Sequence, residues 1–176
     1  MLNDITPPPA AMIMLIGPPG SGKSTYIAGL IAVKNLLSNN NYQVAVISTD
    51  DIFEEMAKDT GITYSEAFGK FSYKEVEREM FNRLDRAIKE NQNIIIDQTN
   101  MTMKSRARKL QKFPSNYSKE AVVFSVDRTE LDRRLKQRET ETGKSIPKHV
   151  VDSMLASYQE PTMDEGFNKI IIKTQS

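Results

Sequence analysis

Residues 10–24 read AAMIMLIGPPGSGKS, an apolar run that breaks into a glycine-rich turn ending in lysine and serine. The run has the length of a strand and no polar side, so it reads as a strand buried on both faces, as in a parallel sheet. The turn, Gly17-Pro18-Pro19-Gly20-Ser21-Gly22-Lys23-Ser24, fits the pattern G-x-x-x-x-G-K-[ST] in full. Its chemistry follows from its residues. Glycines let backbone N–H groups turn inward around an anion with no side chain in the way. The helix expected after the turn points its positive end at the same place. Lys23 adds a mobile charge for the β- and γ-phosphates, and Ser24 a hydroxyl for Mg²⁺. Gly17, Pro18, Gly20, Ser21, Gly22, Lys23, Ser24 and Thr25 are therefore read as holding ATP or GTP with Mg²⁺.

Outward from this turn, the pattern alternates. Residues 24–37 read as a helix that stops near Asn39-Asn40-Asn41, and 43–48 as a strand. Residues 50–58 look helical, 61–72 irregular or loosely helical, and 73–90 helical, with Val76, Met80, Leu84 and Ala87 on one stripe. Strands follow at 93–97, 120–126 and 169–173, with helices at 101–112 and 129–138 and one opened by Pro147 to about residue 158. Five strands alternating with helices predict an α/β fold with a parallel sheet covered on both faces. Ligands of such sheets bind beyond the carboxyl ends of the strands. That directs attention to residues 17–24, 49–51, 97–100 and 127–128.

Asp50 and Asp51 follow the second strand. A carboxylate beside a phosphate loop suits the base that accepts a hydroxyl proton during phosphoryl transfer. The same residues would also serve as helix cap and first-turn acid. Both roles fit together with Asp50 as base and Asp51 as cap, packing or substrate residue. Asp97, at the end of Ile94-Ile95-Ile96, is placed to hold a water on Mg²⁺, and Thr99 and Asn100 to hydrogen-bond an acceptor or organise their loop.

Charge is uneven along a chain whose formal net charge is +1. Residues 101–150 hold 13 basic and 6 acidic side chains, against 9 and 13 in residues 1–100. A cationic block in a neutral protein suggests an anionic partner on one face, or solvated helix faces. Lys104, Arg106, Arg108, Lys109 and Lys112 crowd one predicted helix, where they would neutralise nucleic-acid phosphates. Arg134 and Arg138 share a face of the next helix by i,i+4 spacing. With the polar, Gly143-containing stretch 139–145, they read as a flap that brings arginines to the transferring phosphoryl group and excludes water. Arg128 is expected near the nucleotide base, and His149 in a structural or solvent-facing role.

The composition excludes other chemistries. The chain has no cysteine and a single histidine, so thiolate metal sites, disulfides and multi-histidine centres are out. No apolar run approaches a membrane span. The start of the chain has three prolines and no basic residue, unlike a signal peptide. A cytoplasmic protein without a membrane partner is expected. At 176 residues the expectation is one domain over 10–176, with residues 1–9 as an extended lead-in and a lid over about 129–146.

The motif order resembles the kinase domain of 5′-hydroxyl polynucleotide kinases of the phage and eukaryotic repair types, over about residues 12–173. The resemblance rests on residues 17–24, Thr49-Asp50-Asp51, Ile95-Ile96-Asp97-Gln98-Thr99-Asn100, Ser105-Arg106-Ala107-Arg108, the arginines before Ile146-Pro147, and Tyr158-Gln159-Glu160-Pro161-Thr162-x-x-Glu165-Gly166-Phe167. It implies an adenylate-kinase-like P-loop NTPase fold: a five-stranded parallel sheet, helices on both faces and a helical lid. It makes Asp50 similar to the family's general base and Arg138 to its lid arginine. It also implies a nucleic-acid acceptor, with DNA the leading choice. Two features depart from it. Phe53 stands where the phage enzymes carry an arginine for the acceptor's 3′-phosphate, and the family's phosphatase domain has no counterpart in these residues. Related phage kinases phosphorylate the hydroxymethyl group of 5-hydroxymethyluracil or 5-hydroxymethylcytosine in DNA. For such an enzyme Phe53 would stack on a base that has left the duplex. A small-molecule kinase is the further alternative.

Overall fold

The computed structural model describes residues 10–39, 42–143 and 145–175. The expected lead-in at residues 1–9 lies outside them. Five strands form one parallel sheet in the order β2-β3-β1-β4-β5. They are β1 (Ala11–Ile16), β2 (Val44–Ser48), β3 (Asn93–Asp97), β4 (Ser118–Val126) and β5 (Lys169–Gln175). The helices are α1 (Lys23–Leu37), α2 (Thr49–Thr60), α3 (Tyr64–Lys70), α4 (Tyr73–Lys89), α5 (Met103–Leu110), α6 (Arg128–Thr142) and α7 (Lys148–Ala156), with a 3₁₀ turn at Met163–Glu165. The parallel α/β sheet expected from the strand–helix alternation is thus present, with the five strands that the resemblance implies.

The apolar runs explain the layering. Met12, Met14, Ile94, Ile96, Ala121 and Val123 point to one face of the sheet, where Ile52, Val76, Met80 and Leu84 of α2 and α4 meet them. Leu15, Ile95, Val122 and Phe124 point to the other, against Ile27 of α1. Each large apolar side chain so buried contributes roughly 1.5–3 kcal/mol, as an upper bound. The side with α2 to α5 holds the larger core, so the loops after β2 and β3 are set on a rigid base.

Two local readings sharpen. Of the two alternatives for residues 61–72, irregular or loosely helical, the structure takes the helical one: α3 occupies most of them, opened by a capping box in which Thr63 and Glu66 bond each other's backbone N–H. Ser72 and Glu75 repeat the device at α4. The helix expected over 129–138 is longer: α6 runs on to Thr142 and ends at Gly143, in the left-handed conformation at φ 69°.

Candidate active site

The loops beyond β1, β2 and β3 open into one cleft of about 1250 Å³, roofed by α6. The central strand β1 delivers the phosphate loop to it. Gly22 caps α1 in the left-handed region, at φ 93°, and no side chain caps the helix. The first-turn N–H groups therefore face the cleft without a built-in partner of that kind. Gly20, at φ 81°, lies beneath α6, where an added Cβ would sit 3.2 Å from Leu135 and 3.4 Å from Leu131. Gly17 donates its N–H to Thr99 O at 3.0 Å, tying the loop to the turn after β3.

Lys23 is 9% exposed. Its Nζ donates to Gly17 O at 3.0 Å and Pro18 O at 2.9 Å. Burial pulls this ammonium down to about 8, against the opposing pull of Asp97 and Asp50. Burial also pushes the Asp97 carboxyl up, with Lys23 working against it. Ser24, Thr25 and Asp97 line the cleft with Lys23. Ser21 Oγ is fully buried in the loop without a hydrogen-bond partner.

These residues fit a nucleoside triphosphate with Mg²⁺. The uncapped helix start, the glycines of the loop and the buried ammonium suit phosphate oxygens, whereas Gly17, Pro18 and the fully buried Ser21 stand behind the cleft wall. Among the described residues no cluster of three His, Cys, Asp or Glu could hold a metal by itself. A hard cation here would be held by one hydroxyl, waters and phosphate. Ser24 would be its direct protein ligand and Asp97 its partner through water; such an ion would neutralise charge on the phosphates.

Asp50 stands opposite the loop. Ser48 Oγ, not the expected Asp51, caps α2, by accepting from Asp51 N–H at 3.2 Å. The Asp50 carboxylate, 57% exposed, lies 3.6 Å from Arg138 Nη2. One contact thus joins the predicted base to the predicted lid arginine. Arg133, Arg134, Gln137 and Arg138 all reach the cleft from α6. Glu130 steadies two of these arginines, accepting from Arg133 at 2.7 Å and Arg134 at 2.6 Å.

Several expected ligand residues stand elsewhere. Asp51 is not part of the cleft wall, and burial with Glu54 nearby raises its carboxyl. Phe53 touches the cleft but is 3% exposed, its ring packed into the core, so it offers little face for stacking. Arg128 lies outside the cleft wall and ties α6 to α7, pairing with Asp132 at 2.9 Å and Asp152 at 2.6 Å. Arg106 is completely buried and bonds Glu165 through two nitrogens at 2.7 Å, so it cannot touch an external phosphate. Arg108 faces Glu77 of α4 at 2.6 Å and Lys112 faces Asp85 at 2.8 Å, so neighbouring acids answer part of the cationic helix. Thr99 and Asn100 line the cleft, but Asn100 spends its amide on structure: Nδ2 donates to Leu15 O at 2.7 Å and Oδ1 accepts from Lys109 Nζ at 2.8 Å.

Other cleft residues had not been predicted for the site. Tyr26, Tyr73, Ser105, Met154 and Lys173 line its wall, and so does Lys109, expected only as part of the cationic helix. Burial lowers the Lys109 ammonium to about 8. The i,i+4 spacing of Arg133 and Gln137 within the lid helix was a usable signal. Tyr73 had none, because its place depends on how α4 packs.

A family model described as an AAA domain matches residues 12–161. Among solved structures, a chain of the Pnkp1/Rnl/Hen1 RNA repair complex matches at 24% identity and a TM-score of 0.65. That match covers 89% of this chain but only 46% of the other, so the chain spans about half of that relative's length. Kti12 of Chaetomium thermophilum, in complex with ADP-AlF₃, matches at 15% identity and TM-score 0.65, over 93% of this chain and 88% of the other. The APS kinase CysC of Mycobacterium tuberculosis, with AMPPNP and APS, matches at 17% identity and TM-score 0.54, over 97% and 92%. No described helix is long and apolar enough to cross a membrane.

Proposed function

Since the chain belongs to this AAA-domain family and is a P-loop kinase, a phosphotransferase, we propose that it moves the γ-phosphoryl group of ATP, with Mg²⁺, to the 5′-hydroxyl of a polynucleotide. One observation carries the acceptor reading. The cleft wall holds six cations, Lys23, Lys109, Arg133, Arg134, Arg138 and Lys173, against two carboxylates, Asp50 and Asp97, with Glu130 behind Arg133 and Arg134, so the site stays cationic. Its volume of about 1250 Å³ is above the roughly 300–1,000 Å³ of a usual small-molecule site. A nucleoside triphosphate uses part of that charge and space, and a second polyanion suits the rest. The RNA repair complex named by the matching structure supports the same direction.

In this reading the loop N–H groups and Lys23 hold the donor phosphates. Asp50 accepts the hydroxyl proton as the acceptor oxygen attacks. Arg138, released from Asp50 toward the phosphoryl group, stabilises charge on its equatorial oxygens, and α6 keeps water out. The pairing of Arg108 with Glu77 and Lys112 with Asp85 favours a second reading, a small acceptor that never reaches α5.

Transfer of labelled γ-phosphate decides between them. The panel is 5′-hydroxyl DNA, 5′-hydroxyl RNA, DNA with a hydroxymethyl pyrimidine, free nucleosides and a sugar. Labelling of 5′ ends is the expected result. Labelling of a nucleoside or sugar, with none of any polynucleotide, refutes the proposal.

A further inference from the structure

Residues 158–167 resemble the repair-type kinases, yet none of them lines the cleft. Their contacts supply a reason for them. Gln159 N–H donates to Met101 O at 2.8 Å, and Met103 N–H donates to Gln159 Oε1 at 2.8 Å. Arg106 sits between this strap and the turn after β3. Its Nε and Nη2 each meet a Glu165 oxygen at 2.7 Å. Its Nη1 reaches Gln159 O at 2.8 Å, Asn100 O at 3.1 Å and Met101 O at 3.4 Å. Glu165 is itself steadied by Thr162 N–H at 3.1 Å.

The network does not stop at the turn. Asn100 holds a left-handed backbone, φ 49°, an uncommon state for any residue but glycine. Its side chain bonds Leu15 O, at the end of β1. One residue earlier, Thr99 O receives Gly17 N–H, the first residue of the phosphate loop. Asp97, Gln98 and Thr99 meanwhile face the cleft. A buried arginine with every nitrogen engaged thus backs the turn that joins the two halves of the site. Burying a guanidinium is costly, so its place calls for a reason beyond stability.

We propose that Arg106, gripped by Glu165, is a positioning residue for phosphoryl transfer. It holds residues 97–101 in the register that sets Asp97 and the acceptor side against the phosphate loop. The proposal rests on the kinase reading and acts on the alignment step, not on donor binding. Misalignment by about 1 Å can cost about 10²-fold in rate. The donor phosphates keep their own contacts on the loop and α1.

Three full-chain variants test it. Glu165→Gln keeps size and loses the charge-assisted grip. Arg106→Lys keeps the charge and loses the fork. Gln159→Ala removes one strap bond at an exposed position and should fold whatever the fate of the others. Three measurements are made on each: kcat per folded molecule with the acceptor the wild type uses, Kd for ATP, and hydrogen exchange at the Gly17 amide. Glu165→Gln and Arg106→Lys should lower kcat by ~10- to 100-fold, change the ATP Kd by less than about 5-fold, and speed Gly17 exchange. Gln159→Ala should show the same pattern at smaller size. Unchanged kcat per folded molecule, with or without faster exchange, overturns the proposal and leaves a purely structural pair. An ATP Kd that weakens in parallel with kcat also overturns it. If the wild type labels no polynucleotide, the acceptor reading alone falls, and the same measurements on its true acceptor still judge Arg106.

Discussion

Replacing Lys23 by methionine removes a charge that the fold holds nearly dry. The ammonium is brought from 10.5 to about 8 by burial, and each unit is worth 1.36 kcal/mol, so carrying the proton costs the folded state about 3 kcal/mol at pH 7. The variant also strips Gly17 O and Pro18 O of their donor, which offsets roughly 1–2 kcal/mol of the relief. Lys23→Met should therefore be about 1–2 kcal/mol more stable than the wild type at pH 7, while losing nearly all turnover. The sign with pH follows from proton counting. Between about 8 and 10.5 the unfolded chain still holds the Lys23 proton and the folded chain has released it, so wild-type stability rises through that window. Lys109, shifted in the same direction, is common to both proteins and drops out of the difference. Urea unfolding at pH 7, 8, 9, 10 and 10.5 measures that difference. The advantage of the variant should shrink by about 3 kcal/mol across the range and reverse at its top. A difference that stays flat refutes the reasoning, because Lys23 would then not be a desolvated charge.

Asp50→Asn should lower kcat by ~10²–10⁴ with the ATP Kd little changed; single-turnover transfer checks it, and near-normal transfer removes Asp50 as base. Arg138→Lys keeps charge beside Asp50 but not the planar fork, so its kcat should fall almost as far as that of Arg138→Ala; full activity in the lysine variant reduces the residue to a point charge. Gly20→Ala places a Cβ 3.2 Å from Leu135 at φ 81°, and should destabilise by roughly 1–3 kcal/mol; a urea midpoint equal to wild type would mean that α6 does not press on the loop. Arg108→Ala with Lys112→Ala should leave the salt dependence of the acceptor KM nearly unchanged, since Glu77 and Asp85 already answer those charges; a clearly flatter dependence would make α5 an acceptor surface.

What the sequence determined alone is what local chemistry dictates. Apolar runs such as Ile94-Ile95-Ile96, glycines that must turn left-handed, and Lys23-Ser24 at a helix start have few other uses, so five strands, their parallel arrangement and the donor loop were legible. The capping pair Thr63 and Glu66 was legible too, but the reading of 61–72 as irregular or loosely helical passed over it. Tertiary structure alone decided what each charge faces. Arg106 and Arg108 stand two residues apart on one basic helix, and their charges read alike. Arg106 points inward, to Glu165, 59 residues away, and Arg108 faces Glu77 on α4. Phe53 likewise is core or stacking surface according to what packs over α2. A side chain's charge is a property of its residue, but the partner that satisfies it is set by segments distant in sequence. For that reason the glycine-rich loop could be read in order along the chain, and the rest of the cleft had to be assembled in space.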